Sequence, residues 1–333
     1  MQNSIANIPD IGDIRRAAHA LPALARRTPL IESHELNRRL GGRVLFKPEC
    51  LQHTGSFKFR GAYTKIARLS DEARRRGVVA FSSGNHAQGV AAAAQMFGIR
   101  CTIVMPKDAP HLKIDNTRQY GAEVILYDRL KEDRKKIAGD IAAQTGATLV
   151  PPFDDPYIIA GQGTVGLELS EQADALGVRL DAVLVPCGGG GLISGCALAL
   201  KSWNPAVEIY AVEPLELDDT RRSLAAGEPL TNPSGRSSIC DSLLTESPGA
   251  LTFEINKRLL AGALVVTDGE VIAAMRQCMQ TLNLVVEPGG AVALAALLAE
   301  RFAAREKNVA VVLSGANIDP EVFASYLRTQ SRS

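Results

Sequence analysis

Four short stretches of the chain concentrate the residue types that do chemistry. The first is Thr54-Gly55-Ser56-Phe57-Lys58-Phe59-Arg60-Gly61-Ala62. Ser56 is expected to cap a helix starting near Phe57, with Gly55 allowing a tight turn before it. Lys58 then falls in a first helical turn between two aromatic rings. Helix-end charge and partial desolvation both lower an amine's pKa there, and a neutral amine is what Schiff-base chemistry needs. The bland alternative is a surface lysine whose neighbouring rings serve the core. The second stretch is Ser82-Ser83-Gly84-Asn85-His86-Ala87-Gln88-Gly89, directly after an apolar run. Small residues and side-chain donors at a helix start suit an anion such as a carboxylate. Its alternative is an ordinary capped helix, with Ser83 or Asn85 as N-cap and His86 satisfied inside the core.

The third stretch, Pro186-Cys187-Gly188-Gly189-Gly190-Gly191-Leu192-Ile193-Ser194-Gly195, spends four consecutive glycines after another apolar run. Glycine is entropically costly, so backbone freedom must be required here, and loop N–H groups beside a helix start can wrap a phosphate. A dinucleotide loop of the G-x-G-x-x-G type fails at its third glycine, where Ile193 stands. Glu213 lies near the ~20-residue ribose distance, but Pro214 follows at once. A monophosphate fits better. The fourth stretch is Leu313-Ser314-Gly315-Ala316-Asn317, where Ser314 alone reads as a cap or turn. In open α/β sheets ligands collect at the carboxyl ends of strands, where three of these stretches fall.

The elements that must hold these residues alternate. Strands are expected at Arg43–Phe46, Val78–Phe81, Thr102–Met105, Glu123–Leu126, Ala182–Val185, Glu208–Val212, Ala263–Val266 and Val309–Leu313. Helices are expected at Asn85–Phe97, Asp133–Ala143, Glu270–Leu282 and Ala291–Phe302. Nearly apolar strands between helices make this an α/β chain with parallel-rich sheets flanked by helices on both faces. Leu217–Ser247, rich in Gly, Pro, Asn and Ser, reads as one long loop bordering a site.

Bulk properties narrow the partners. The 333 residues allow two lobes, and 37 Lys plus Arg against 36 Asp plus Glu leave no field for nucleic acid or an anionic membrane. A small-molecule partner is expected, and Arg74-Arg75-Arg76 is read as a solvated helix end. Six scattered cysteines without C-x-x-C spacing point to a reducing compartment. No apolar stretch reaches the ~18 residues of a membrane span, and Met1–Pro9 lacks a signal-peptide pattern, so a cytoplasmic location is expected. The chain ends at Ser333 soon after a final helix, so no appended regulatory domain is expected.

Taken together, Ser56-Phe57-Lys58-Phe59-Arg60-Gly61-Ala62, Ser83-Gly84-Asn85-His86 and the four-glycine loop resemble the threonine/serine dehydratase (ammonia-lyase) and serine racemase family. These are fold-type II pyridoxal-phosphate enzymes. The resemblance runs from Arg27-Thr28-Pro29-Leu30 to Ser314-Gly315-Ala316-Asn317. It implies a two-lobed, tryptophan synthase β-like fold, with residues 1–76 and 153–333 as a discontinuous large cofactor-binding domain and 77–152 as a small domain. It implies pyridoxal 5'-phosphate as cofactor, Lys58 as its Schiff-base lysine, Phe57 packed on its ring and Asn85 on its phenolic oxygen. Gly188, Gly189, Gly190 and Gly191 would bind the phosphate, and Ser314 the pyridine nitrogen. Ser83, Gly84, Asn85 and His86 would meet the substrate carboxylate, with Arg134 near the substrate entrance. Glu213, Asp219 and the Leu217 carbonyl resemble the family's cation site, for Mg, Ca or K.

Two departures stand out. Cys240-Asp241-Ser242 replaces the family's Ala-Asp-Gly, placing Ser242 where a β-substituent would pass, and Ser314-Gly315-Ala316-Asn317 replaces Ser-Gly-Gly-Asn. The implied activity is conversion of L-threonine, L-serine or a related β-hydroxy amino acid to a 2-oxo acid and ammonia, by a homodimer or homotetramer. Lys58 would be the base, and Ser83 would decide whether racemisation accompanies elimination. The rival readings are a serine racemase with side dehydratase activity, and a non-catalytic nucleotide-binding α/β protein.

Overall fold

The structure, a computed structural model, describes residues 8–328. Helix α1 (Ile11–Ala20), closed by a reciprocal Asp10–Asp13 capping box, precedes β1 (Ile31–Glu32), α2 (His34–Leu40) and β2 (Arg43–Pro48). Helices α3 (Lys58–Ala67) and α4 (Asp71–Arg76) lead into an alternating stretch. That stretch runs β3 (Val78–Phe81), α5 (Asn85–Met96), β4 (Cys101–Pro106), α6 (His111–Gln119), β5 (Glu123–Tyr127), α7 (Arg134–Thr145) and β6 (Thr148–Leu149). A second alternating stretch begins with α8 (Pro156–Ala175), β7 (Ala182–Pro186), α9 (Gly191–Trp203) and β8 (Glu208–Pro214). It continues through α10 (Asp219–Ala226), α11 (Ala250–Leu259), β9 (Gly262–Val266), α12 (Asp268–Leu282) and α13 (Pro288–Leu298). Strand β10 (Asn308–Leu313) and α14 (Pro320–Arg328) complete it.

The strands form two sheets, ordered β1-β2-β10-β7-β8-β9 and β5-β4-β3-β6, parallel throughout except for the β1–β2 pair. Side chains alternate across a strand, and the cores show it. In β10, Val309, Val311 and Leu313 enter a core with α12 and α13, while Ala310 and Val312 enter the opposite core with α8 and α9. The small sheet repeats this: Val78 and Ala80 pack toward α5, and Val79 and Phe81 toward α7. We propose that the four-stranded sheet with its helices is the small domain, bounded as residues 77–152.

Several local expectations are corrected. Edge strands β5 and β9 are largely part-exposed, because each has a neighbour on one side only. The two-residue strands β1 and β6 carry too short a run for periodicity to reveal. The expected helix Ala291–Phe302 begins earlier, at Pro288, because proline's fixed φ suits a first helical position. It ends at Leu298, with Glu300 in a left-handed conformation just beyond. The expected loop 217–247 contains helix α10 and a short 3-10 turn, Asp241–Leu243. Among the described residues no helix is long and apolar enough to cross a membrane.

Candidate active site

Ser56 does not cap α3. It pairs with Gly315 in an isolated antiparallel bridge, and the helix begins one step later, with Phe57 at the N-cap position and no side-chain cap. The Phe57 N–H donates to the Ser314 carbonyl at 3.3 Å, which ties this turn to the end of β10. Lys58 Nζ donates to the Pro152 carbonyl at 2.8 Å and lies 5.2 Å from the Phe57 ring centre. Burial lowers the amine's pKa to about 8. Two residues on, Arg60 is fully buried and bonded to Glu49 (2.8 Å) and Glu168 (2.6 Å), with Lys47 also on Glu168 at 2.6 Å. Breaking a buried pair of this kind costs about 3–5 kcal/mol, so the start of α3 is held firmly against β2 and α8.

At the end of β3, Gly84 is the N-cap of α5 and no side chain caps it, so neither Ser83 nor Asn85 plays that part. A Cβ on Gly84 would fall 2.0 Å from Lys113 Cδ, so the residue is glycine to let a buried lysine pass. Ser83 Oγ donates to the Asp241 carbonyl at 3.4 Å. The Asn85 amide donates to Glu287 and accepts from Asn317 at 2.8 Å. His86 is bonded through Nε2 to the Val150 carbonyl at 3.0 Å, and burial together with nearby Lys58 pushes its pKa down to about 3. The imidazole is therefore neutral.

The glycine run forms a bare cradle at the start of α9. Gly190 has φ +94°, and a Cβ there would meet Thr252 and Asn256 at 2.9 Å, while one on Gly189 would meet the Phe153 ring at 2.3 Å. Thr252 Oγ1 donates to the Gly189 carbonyl at 2.7 Å, and Asp154 caps the α11 helix that carries Thr252. No side chain caps α9, so its first N–H groups are left for a ligand.

These segments enclose one cavity of about 390 Å³. It is lined by Phe57, Lys58, Ser83, Asn85, His86, Arg134, Gly188, Gly189, Gly190, Gly191, Ser242 and Ser314. Gly84 is not part of the lining; it is turned against Lys113. Ser242 reaches the lining but its Oγ also occupies the space where a Cβ on Gly289 would stand, 2.1 Å away. Sequence reasoning missed Phe81, Arg129, Lys135, Pro152 and Phe153 in the lining, and Lys113 and Glu287 behind it. The pair Pro151-Pro152 beside an aromatic was the available signal for part of this wall.

Arg134 stands at the first position of α7, fixed by Asp133, whose carboxylate accepts from the Lys135 and Lys136 N–H groups. Its neighbours in the lining are engaged: Arg129 with Asp108 at 2.9 Å, and Lys135 with Glu246 at 4.0 Å. Arg134 lies 5.6 Å from the Phe81 ring centre and, among the described residues, has no acidic partner.

Glu213 and Asp219 lie outside the cavity, at the end of β8 and the start of α10, and both are buried. Burial and each other's proximity push Glu213 up to about 8, and burial pushes Asp219 up to about 6. Glu213 accepts from the Thr220 and Arg221 N–H groups, both at 2.9 Å, and Asp219 Oδ2 has no hydrogen-bond partner among the described residues. Leu217 sits in the turn between them, its N–H bonded to the Pro214 carbonyl. Among the described residues no group of three His, Cys, Asp or Glu side chains forms a metal cluster.

Residues 22–315 match the model of the pyridoxal-phosphate dependent enzyme family. The chain belongs to that family. This pyridoxal-phosphate enzyme is 43% identical to an L-threo-3-hydroxyaspartate ammonia-lyase of a Pseudomonas species, over 95% of this chain and 98% of the relative. It is 45% identical to an L-threonine ammonia-lyase of Thermotoga maritima, over 92% of this chain and 75% of the relative. The solved structure of maize serine racemase is similar at TM-score 0.90 and 38% identity, covering 96% of this chain and 97% of that one. Pyridoxal phosphate is the cofactor, and the cavity suits it. A Cβ-free cradle at a helix start fits a phosphate, and a buried amine with a lowered pKa stands in the same cavity.

Proposed function

We propose that the protein is an ammonia-lyase that takes L-threonine, L-serine or a related β-hydroxy amino acid to a 2-oxo acid and ammonia. The observation that carries this reading is one cavity holding Lys58, the glycine cradle and the unpaired Arg134. Pyridoxal phosphate, when bound, supplies an electron sink for bond breaking at the substrate's α-carbon. Gly188 to Gly191 and the first turn of α9 would hold its phosphate, Lys58 its carbonyl carbon, Phe57 and Asn85 its ring and phenolic oxygen, and Ser314 its ring nitrogen. Ser314 suits that last role because its buried hydroxyl lines the cavity and is neutral, so it accepts or donates without imposing a charge.

Lys58, once released, is the base that takes the α-proton, since burial lowers its pKa to about 8 and so makes a far larger fraction of the amine neutral near physiological pH than an exposed lysine has. The substrate carboxylate would be received by Ser83, Asn85 and the free N–H groups opening α5. His86 contributes its backbone there, because its ring already serves Val150. Water leaves from the β-carbon and water is consumed when nitrogen is released, so the net products are the 2-oxo acid and ammonia.

Arg134 favours substrates with an acidic β-substituent, because an unpaired guanidinium in a cavity wall gains most from a carboxylate. L-threo-3-hydroxyaspartate, named for one relative, has that chemistry. A panel of L-threonine, L-serine and L-threo-3-hydroxyaspartate, scored for 2-oxo acid, tests this. The acidic substrate should have the highest kcat/KM, and Arg134→Ala should lower it by about a hundredfold while changing threonine by much less. Equal losses on all three would remove Arg134 from substrate choice. Racemisation is a second reading, favoured by Ser83, whose hydroxyl lines the cavity as a proton donor; inverted serine accumulating faster than pyruvate would make it primary.

For the cation, Glu213, Asp219 and the Leu217 carbonyl would supply oxygen ligands suited to Mg, Ca or K, supported by the orphaned Asp219 Oδ2. Six buried, unpaired cysteines support a reducing, cytoplasmic setting. Exposed Met279, Val285 and Val322 near α12 and α14 support assembly as a homodimer or homotetramer.

A further inference from the structure

Lys113, on α6 over the small sheet, is fully buried, although an isolated buried ammonium is among the costliest groups to place in a protein. Its Nζ reaches two acids. Glu287 Oε2 accepts at 2.9 Å and Asp241 Oδ2 at 2.7 Å. These come from different parts of the fold: Glu287 is the N-cap residue of α13 against the large sheet, and Asp241 opens the 3-10 turn that carries Ser242. The stem crosses Gly84 so closely that no Cβ is tolerated there.

What the two acids do next matters more than the ion pairs. Glu287 uses its other oxygen, Oε1, to accept from the Asn85 amide, and the Asp241 backbone carbonyl accepts from Ser83 Oγ. Asn85, Ser83 and Asp241 line the cavity, whereas Lys113 and Glu287 do not. The opposite side of the Asn85 amide is held by Asn317, which is itself tied to the Thr54 carbonyl at 2.8 Å. The Asn85 side chain is thus gripped from both sides, and one grip ends on Lys113. A well-packed apolar side chain would join α6 to α13 as firmly as this charged group does. It would not orient two acids that each touch a cavity residue.

We propose that Lys113 is a positioning residue, which fixes Asn85 through Glu287 and Ser83 through Asp241 and so couples the small sheet to the geometry of the reacting cavity. The inference rests on reading that cavity as the lyase site. It concerns a lysine that touches neither substrate nor cofactor.

The test uses the holoenzyme with Lys113→Met and with the charge-balanced pair Lys113→Met/Glu287→Gln, which leaves no uncompensated buried carboxylate at position 287. Both are scored for kcat, KM, the cofactor's visible absorption maximum, cofactor dissociation constant and Tm. The balanced variant should keep its cofactor and a melting transition close to wild type, while kcat falls about ten- to a hundredfold from misplaced groups. KM should move less than kcat, and the absorption maximum should shift as Asn85 loses its grip. In Lys113→Ala, n-propylammonium should restore kcat where n-propanol of the same shape does not. Wild-type kcat, within about twofold, with an unshifted band in the balanced variant would overturn the proposal. So would equal rescue by propanol, since packing alone would then suffice. If wild-type enzyme releases no 2-oxo acid from any β-hydroxy amino acid, the lyase reading fails. The band position and cofactor dissociation constant would still decide for or against Lys113.

Discussion

Lys58 shows how a single residue's surroundings set its chemistry. Its amine is held between the Phe57 ring and the Pro152 carbonyl, and burial lowers its pKa to about 8. The sign is that of a buried base: desolvation disfavours the charged form, so the neutral, nucleophilic fraction grows as pH rises, reaches about half near pH 8 and is nearly complete about one pH unit higher. Reconstitution of apoprotein with pyridoxal phosphate should accelerate from about pH 6 through about pH 8 and level about one pH unit above that, as followed by the visible absorption band. Lys58→Ala should fold, melt near wild type and show neither the band nor 2-oxo acid release. A flat reconstitution profile would mean that burial does not tune this amine. At this scale the sequence was informative where chemistry is local. Lys58 between two rings, the turn at Ser83 and the glycine run are each contiguous, and one cavity gathers them. Lys113 and Glu287 were invisible because they stand 174 positions apart, and nothing in either neighbourhood announces the other. Arg134 comes from the resemblance, but its lack of an acidic partner among the described residues is a property of the fold.

At the scale of elements, the turn into α9 is the one whose backbone we propose holds the cofactor's phosphate. Gly190 occupies a left-handed conformation with no room for a side chain, between Thr252 and Asn256. Gly190→Ala should cost about 1–3 kcal/mol in Tm-derived stability and weaken cofactor binding about tenfold or more by displacing the cradle's N–H groups. Gly269→Ala in α12, where a Cβ would make only an ordinary contact with Thr267 Oγ1 at 4.0 Å, should be neutral or stabilising by up to about 1 kcal/mol. Equal behaviour of the two variants, measured by cofactor titration and melting, would show that the loop's shape is not what binds the phosphate. All eight strands read from apolar runs are present, because strands buried between helix layers advertise themselves by composition. What failed was capping. Ser83 and Asn85 are good capping residues by type, yet they are taken by a carbonyl and a carboxylate from elsewhere in the fold, while the Ser56 backbone is drawn into a bridge with Gly315 and its hydroxyl has no partner among the described residues. Helix α10 was hidden inside a stretch whose Gly, Pro and Asn content marks its later half only.

Across the whole molecule, stability should answer to the proposed cation site. Two buried acids side by side, pushed up to about 8 and about 6, strain the fold unless something positive joins them. A cation at about 100 times its Kd would add about 2.7 kcal/mol. Chelation should therefore lower wild-type Tm, and added Mg, Ca or K should raise it, whereas Glu213→Gln should melt at one temperature in chelator and in cation. A wild-type Tm that ignores all of these would remove Glu213, Leu217 and Asp219 from any metal role.

The order of the large sheet also has a consequence in time. Strand β10, the last of the described strands to be made, lies between β2 and β7, pairing Arg43 with Asn308 on one side and Ala182 with Val309 on the other. Until it emerges from the ribosome, β1-β2 and β7-β8-β9 are separate fragments, each with an open edge of unpaired backbone. Ser314, at the end of that strand, arrives last of all the cavity residues. A nascent chain can therefore neither close its largest sheet nor assemble the complete cavity before Ser314 has been made. Products released early, short of β10, present two adhesive edges and belong among the clients of chaperones and proteases.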